Sequence, residues 1–255
     1  MITVKILPVL RFPENCNTRH LLSTIRELRL WDKCILGDIH NRLYKMAQLY
    51  NSLFASLRDP LSEYMPEGLR KPLLTNRSES ESILVEQNGY NVRAAVRGVE
   101  GFSELLLHLA RRLDSGHDSF RQKDAVTEAS NSRIVYPSSE IIIKSIQLLA
   151  IQVDRNIDSD PLVCAIYTMV SIWSIHPFAD GNGRLGRVLF NSIIRQTGIS
   201  GCYIPLYELS LVSDAGGLLA TRRAQQQNDW DPIVRYLAAG VSLCLSLQLS
   251  DNGHL

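Results

Sequence analysis

From Leu162 to Ile175 the chain reads LVCAIYTMVSIWSI, 14 residues without a charge. A typical strand is about five or six residues long, so a run of this length is a helix. The residues ahead of it agree. Asp160 supplies a side-chain acceptor for the N-cap, and Pro161 occupies the first helical position, where its missing N–H costs nothing. Thr168, Ser171 and Ser174 interrupt the run, which is also too short to cross a membrane. The helix ends at His176-Pro177, and whatever follows must be read as a loop that leaves a helix, not one that leaves a strand.

The rest of the sequence points the same way. Apolar residues recur at three- and four-residue steps through Leu21, Leu22, Ile25 and Leu28, then Ile35, Ile39, Leu43, Met46, Leu49 and Leu53. Residues 101–113 (GFSELLLHLARRL) and 138–153 behave alike, although Ile141 to Ile143 taken alone suit a strand. Asp231-Pro232 repeats the Asp-Pro helix start. Turn chemistry separates these segments at Asp59-Pro60, Pro66-Glu67-Gly68 and Tyr136-Pro137-Ser138. The expectation is an all-α fold, with residues 1–75 forming helices packed on a core domain of residues 76–255. The 255-residue length and 45% hydrophobic content suit a globular body with a substantial core.

Charge narrows the function. There are 27 Lys+Arg against 26 Asp+Glu, so no broad basic surface is implied and nucleic acid is not an expected partner. The five cysteines, Cys16, Cys34, Cys164, Cys202 and Cys244, are scattered and show no CxxC pair, which argues against a zinc site or a disulfide framework and for a reducing, cytoplasmic setting. The N-terminal MITVKILPVLRFP lacks the pattern of a secretory signal.

After the apolar helix comes HPFADGNGRLGR, residues 176–187. Gly181, Gly183 and Gly186 form a GxGxxG, but a dinucleotide fingerprint needs a strand before its first glycine. A Walker loop needs GK[ST], and Arg187-Val188 stands in its place. What remains is a short loop between two helices with its own chemistry. Backbone N–H groups near Asn182 and Gly183, with the positive end of the second helix, suit an anion. Arg184 and Arg187, three residues apart, share a face and can clamp phosphate oxygens. Asp180 offers a hard carboxylate for Mg²⁺, and His176 a base for an incoming hydroxyl.

The stretch is similar to the signature of the Fic (Fido) family, HPFx[D/E]GN[G/K]RxxR, and meets it at every specified position. The resemblance implies a helical Fic-type core with a short β-hairpin flap, and transfer of AMP from ATP to a Ser, Thr or Tyr hydroxyl of a target protein. It implies His176 as catalytic base, Asp180 as the Mg²⁺ ligand, and Gly181, Asn182, Gly183 and Arg184 on the α- and β-phosphates. Arg187 would take the γ-phosphate, and Phe178 would anchor the loop. The flap would lie near Val126 to Val135, pairing with an extended segment of the target. Removal of AMP, transfer of another phosphate-containing group, self-modification, and a non-catalytic nucleotide-binding module stay open. No membrane partner is expected.

Family members of one subgroup carry an N-terminal inhibitory helix, [S/T]xxxE[G/N], whose glutamate pairs with the second motif arginine. SILVEQ places Ser82 and Glu86 at that spacing within a candidate helix 78–90, with Ile83, Leu84 and Val85 to seat it and Gln87 departing from the pattern. A more polar competitor runs from Thr75 to Glu79. A Tyr-Tyr pair common in the family about a dozen residues before Asp229-Trp230 is absent. Gly217 and Leu218 stand nearby instead, so the base pocket is expected to be altered. Arg222 and Arg223 read as solvated surface arginines, and Trp31, Trp173 and Trp230 as core.

Overall fold

A computed structural model of the chain describes residues 2–14, 16–28, 39, 41–43, 45–46, 77–87, 91–113, 118–129, 132–213 and 216–249. In chain order these give β1 (Ile2–Lys5), α1 (Arg19–Glu27), α2 (Arg77–Gln87), α3 (Val92–Val96), α4 (Val99–Leu113), β2 (Val126–Ala129), β3 (Ser132–Val135), α5 (Ile142–Asn156), α6 (Pro161–Ile175), α7 (Asn182–Gln196), α8 (Leu206–Val212), α9 (Gly216–Gln227) and α10 (Asp231–Leu249). The fold is mainly helical with one small sheet. No helix among the described residues is long and apolar enough to cross a membrane.

The apolar run is α6. Asp160 accepts from the Val163 N–H at 3.3 Å, with Pro161 at the helix start. Only Pro161 and Trp173 of its 15 residues are less than fully buried. A helix apolar around its whole circumference has to be enclosed by protein, and α5, α7 and α9 enclose this one. Ile141 to Ile143, ambiguous in sequence, form the end of a 3₁₀ turn (Ser139–Ile141) and the start of α5.

The flap forms where expected. β2 and β3 pair antiparallel, Val126 opposite Val135 and Ala129 opposite Ser132. The N-terminal strand is unexpected. β1 runs parallel to β3, Ile2 opposite Ser132 and Lys5 opposite Val135, so β3 becomes the central strand. The chain then descends along the body, where the Tyr167 hydroxyl donates to the Leu10 carbonyl at 2.9 Å and Phe12 meets the Tyr167 ring edge-on at 5.1 Å. The first part of the N-terminal segment, expected to be helical, is therefore extended, because its backbone pairs with the flap. Helix α1 is present, packed on α10 through Leu21 and Ile25. Ile39 and Leu43 are buried, whereas Trp31, Thr75 and most of the pattern expected between 29 and 76 lie outside the described residues.

The α6–α7 pair needs a glycine. A Cβ on Gly186 would overlap the Trp173 indole, whose Nε1 donates to the Gly183 carbonyl at 3.3 Å. Trp173 therefore packs against the first turn of α7 at the edge of the core, only partly buried. Gly186→Ala is expected to cost about 1–3 kcal/mol by overpacking and to perturb tryptophan emission. Thermal unfolding should fall by roughly 2–4 °C per kcal/mol. An unchanged melting temperature and spectrum would contradict this packing.

Candidate active site

His176 caps α6 in the left-handed conformation, φ 52 and ψ 58, and its N–H donates to the Ile172 carbonyl at 2.9 Å. Such a backbone costs a non-glycine residue free energy that its surroundings must offset. Arg121 provides much of that support. Buried between the flap and the end of α6, it donates to the carbonyls of His176 at 2.7 Å, Lys123 at 2.8 Å and Ile175 at 3.5 Å, and also to that of Pro137. One guanidinium thus ties the glycine-rich loop to both ends of the flap. Nothing in the local sequence around Arg121 announces this role, which depends on carbonyls that fold to it from distant segments.

Tyr136, at the end of the flap, stacks on the His176 imidazole with centroids 3.9 Å apart and planes 22° from parallel. Burial, then the Arg121 charge, push the His176 pKa down to about 4, with Asp180 opposing. The imidazole is accordingly neutral at pH 7, with a ring nitrogen able to accept a proton.

After Pro177 the loop is stapled from within. Phe178 is buried against Phe120, centroids 5.3 Å apart. The Asn182 side chain accepts from the Phe178 N–H at 3.0 Å and donates to its carbonyl at 2.8 Å. The Asn182 amide group is thereby spent on holding the loop, leaving its backbone N–H for an anion. Gly181, at φ 81, is the N-cap of α7 and has no side chain to cap the first turn, which leaves the helix terminus suited to an anionic group. Asp180 is exposed, 3.6 Å from an Arg184 nitrogen, while another Arg184 nitrogen donates to the Leu113 carbonyl at the end of α4 at 2.8 Å.

Arg187 is the buried member. Its Nε donates to Glu81 Oε2 at 3.0 Å and a terminal nitrogen to Oε1 at 2.5 Å. The Tyr203 hydroxyl donates to the same Glu81 Oε2 at 2.5 Å, and the Arg187 guanidinium lies 5.1 Å from the Tyr207 ring centre. Burial works against the Arg187 charge, but Glu81, with Tyr203 and Glu208 behind it, outweighs burial and holds the pKa above its ordinary value. Burial and then the Glu81 carboxylate push the Tyr203 phenol well up, so it stays a donor.

The carboxylate on the second motif arginine is therefore Glu81, not Glu86. Five residues along a helix is a turn of about 500°, so both cannot face Arg187. Glu81 is 0% exposed and Glu86 half-buried. Ile83 is exposed and does not seat α2; Leu84 and Val85 do, three and four residues after Glu81, and Ser82 is buried beside it. Pattern matching missed Glu81 because Arg77 and Ser82 stand where the inhibitory pattern has Ser/Thr and Gly/Asn.

His176, Asn182, Gly183 and Arg187 share one cavity of about 290 Å³ between α6, α7, α8, α9 and α10. Its far wall carries Tyr236, whose ring occupies the space a Cβ on Gly217 would need, 2.9 Å from its ring carbon. The aromatic surface absent from α9 is thus supplied from α10. Trp173, expected in the core, lines this cavity, as does Arg222. Arg223 does behave as a surface arginine, paired with Asp229 at 2.6 Å. No group of three His, Cys, Asp or Glu side chains able to hold a metal occurs among the described residues. Asp180 alone offers one carboxylate, a donor set that fits Mg²⁺ carried in on a polyphosphate and not a protein-built metal cage.

Comparison with known proteins agrees with this geometry. The Fic/DOC family model matches residues 102–194, from the second turn of α4 to near the end of α7. A Fic family protein from Desulfovibrio desulfuricans G20 superposes with a TM-score of 0.56 at 18% identity, over 95% of this chain and 78% of that one. Fic-1 (residues 134–508) from C. elegans gives 0.57 at 16% identity, over 92% and 73%. A Fic domain containing signaling protein from Bacteroides thetaiotaomicron VPI-5482 gives 0.57 at 15%, over 91% and 96%. Among curated proteins no sequence matches. The family match spans the flap, the histidine cap and the glycine loop, so residues 102–194 of this chain are similar to the Fic/DOC family, and the solved structures share its fold.

Proposed function

We propose that this protein is a nucleotidyltransferase that moves AMP from ATP to a Ser, Thr or Tyr hydroxyl of a protein, and that Glu81 restrains it. The observation that carries the reading is the meeting, in one cavity, of a neutral histidine, a helix N-terminus capped only by glycine, and an arginine whose carboxylate partner comes from a separate helix. His176 takes the proton of the attacking hydroxyl. The hydroxyl oxygen bonds to the α-phosphorus, the bond from that phosphorus to the bridging oxygen breaks, and pyrophosphate leaves with the electron pair. Backbone N–H groups at Gly181 to Gly183 and the Arg184 side chain bear on the α- and β-phosphates, and Arg187 on the γ-phosphate. Asp180 would hold Mg²⁺, which neutralises charge on the triphosphate when bound. Protein target and nucleotide are the partners; the flap edge at β2 suits an extended target segment.

Restraint follows from competition. Arg187 cannot serve a γ-phosphate and Glu81 together. A hydrogen bond to a charged group contributes about 1.5–3 kcal/mol, so losing Glu81 should raise the competent population roughly 10- to 100-fold. Labelling by α-³²P-ATP, scored on the protein itself and on a lysate, should rise by that order in Glu81→Gly and in Glu81→Gln. It should vanish when His176→Ala is added. Equal labelling by wild type and both Glu81 variants would discard the restraint. Release of AMP from a labelled target by wild type, with no labelling by any variant, would reverse the direction of the reaction.

Tyr203 holds the second lone pair of Glu81 and strengthens the lock. Tyr203→Phe keeps the ring and should raise wild-type labelling about tenfold, the value of one charged hydrogen bond, while adding nothing in the Glu81→Gly background. An equal increase in both backgrounds would show that Tyr203 acts elsewhere.

The depressed His176 pKa sets the pH profile. Above about pH 4 the imidazole of the free enzyme is neutral, so kcat/KM should not fall through the ordinary histidine range as pH drops from 7 to 5. The His176 C2 proton should titrate near 4 by NMR. An acid limb or midpoint near 6.5 would contradict the buried, Arg121-facing imidazole.

A further inference from the structure

Arg222 does not behave as the solvated arginine its sequence context suggests. It lines the cavity, and one of its terminal nitrogens donates to the Gln225 Oε1 at 2.7 Å. Gln225 is itself 2% exposed, and its Nε2 donates to the Ser174 hydroxyl at 3.0 Å. Ser174, 0% exposed, spends its only proton on the Val170 carbonyl at 2.8 Å. Because that proton is committed, the Ser174 oxygen can only accept from Gln225, which fixes the amide and turns its oxygen toward Arg222. A buried relay running back into α6 therefore holds the guanidinium in one orientation.

Such a relay has no use under a side chain that simply trails into water. Guanidinium carries five N–H donors and no acceptor; one is used by Gln225, and no carboxylate among the described residues pairs with Arg222. None of the residues lining the cavity is acidic. The phosphate-facing groups, Asn182, Gly183 and Arg187, stand at the α7 end of the cavity, while Tyr236, Leu237 and Ile233 from α10 provide a flat apolar wall of the kind a base stacks on. α9 lines the same cavity with Thr221, Arg222 and Gln225, and of these Arg222 is the charged donor, held in place by Gln225.

Resting on the reading of this cavity as a nucleoside triphosphate site, we propose that Arg222 reads the base and selects a keto group over an amino group. Guanine and uracil present a carbonyl, at position 6 of the purine or 4 of the pyrimidine, where adenine and cytosine present an amino group. A donor-only side chain is satisfied by the first and opposed by the second. Guanine offers O6 and N7 together to one guanidinium, and uracil offers O4 alone. The same transfer then takes GTP or UTP as its preferred donor in place of ATP, and the monophosphate it moves is GMP or UMP more readily than AMP.

Binding separates this inference from the transferase reading. Affinities for GTP, UTP, ATP and CTP would be measured with Mg²⁺ by calorimetry on the full chain carrying Glu81→Gly and His176→Ala, with and without Arg222→Leu, and with Arg222→Lys as a milder variant. The expected result is about tenfold tighter binding of GTP, UTP or both than of ATP and CTP, as one charged hydrogen bond predicts. Arg222→Leu removes that preference with ATP affinity held within about threefold, and Arg222→Lys keeps it in part; GTP against UTP identifies the base. The same ranking with and without Arg222, or a uniform loss for all four nucleotides, would overturn the assignment. Base-selective binding in a protein that labels nothing once His176 is restored would leave Arg222 in its role and remove the transferase instead. No binding of any nucleotide would overturn both.

Discussion

Arg187 is a cation where water scarcely reaches, and the site is built around compensating it. Removing an ion of that size from water costs several kcal/mol even after relaxation. Glu81 repays this with two hydrogen bonds, the Tyr207 face adds a cation–π contact, and Glu208 lies within electrostatic range. Only Glu81 belongs to α2, and it stands 106 residues before Arg187 in the chain. That asymmetry matters. The compensation from Tyr207 and Glu208 comes from α8 and does not depend on α2, so Arg187 keeps part of its electrostatic support independently of Glu81.

The opposite electrostatic choice is made at His176. There burial first, and the Arg121 cation after it, keep the imidazole neutral, the state in which a ring nitrogen can accept a proton. Arg121 also sets the backbone through carbonyls of the cap and the flap, so flap position and base orientation are not independent. A target strand laid on the flap would be registered against the histidine through a single side chain. The parallel β1 strand on β3 stiffens the same hairpin from its other edge.

The parts of this arrangement written locally were legible. Asp160-Pro161 and the uncharged run defined α6, and the twelve residues from His176 to Arg187 defined the loop, because caps, glycines and charges act there on their own neighbours. The flap could be bounded at Val126 and Val135 from its likeness to the family. What escaped was carried by contacts between distant segments. Glu81 matches the inhibitory pattern poorly in sequence, and only the helical register of Leu84 and Val85 against α7 brings it to Arg187. Tyr236 replaces a missing aromatic from a different helix, which no spacing rule within α9 could reveal. β1 fell within a segment expected to be helical, because the strand it pairs with lies some 130 residues away.

Competition between Glu81 and a terminal phosphate for Arg187 is the claim on which the account of regulation stands, and nucleotide affinity tests it without any protein target. Calorimetry with ATP and with ADP, each with Mg²⁺, would be compared between wild type and Glu81→Gly. The variant is expected to gain about tenfold or more in affinity for ATP and nothing for ADP, which lacks the phosphate that Arg187 would take. An equal gain for both nucleotides, or none for either, would contradict it.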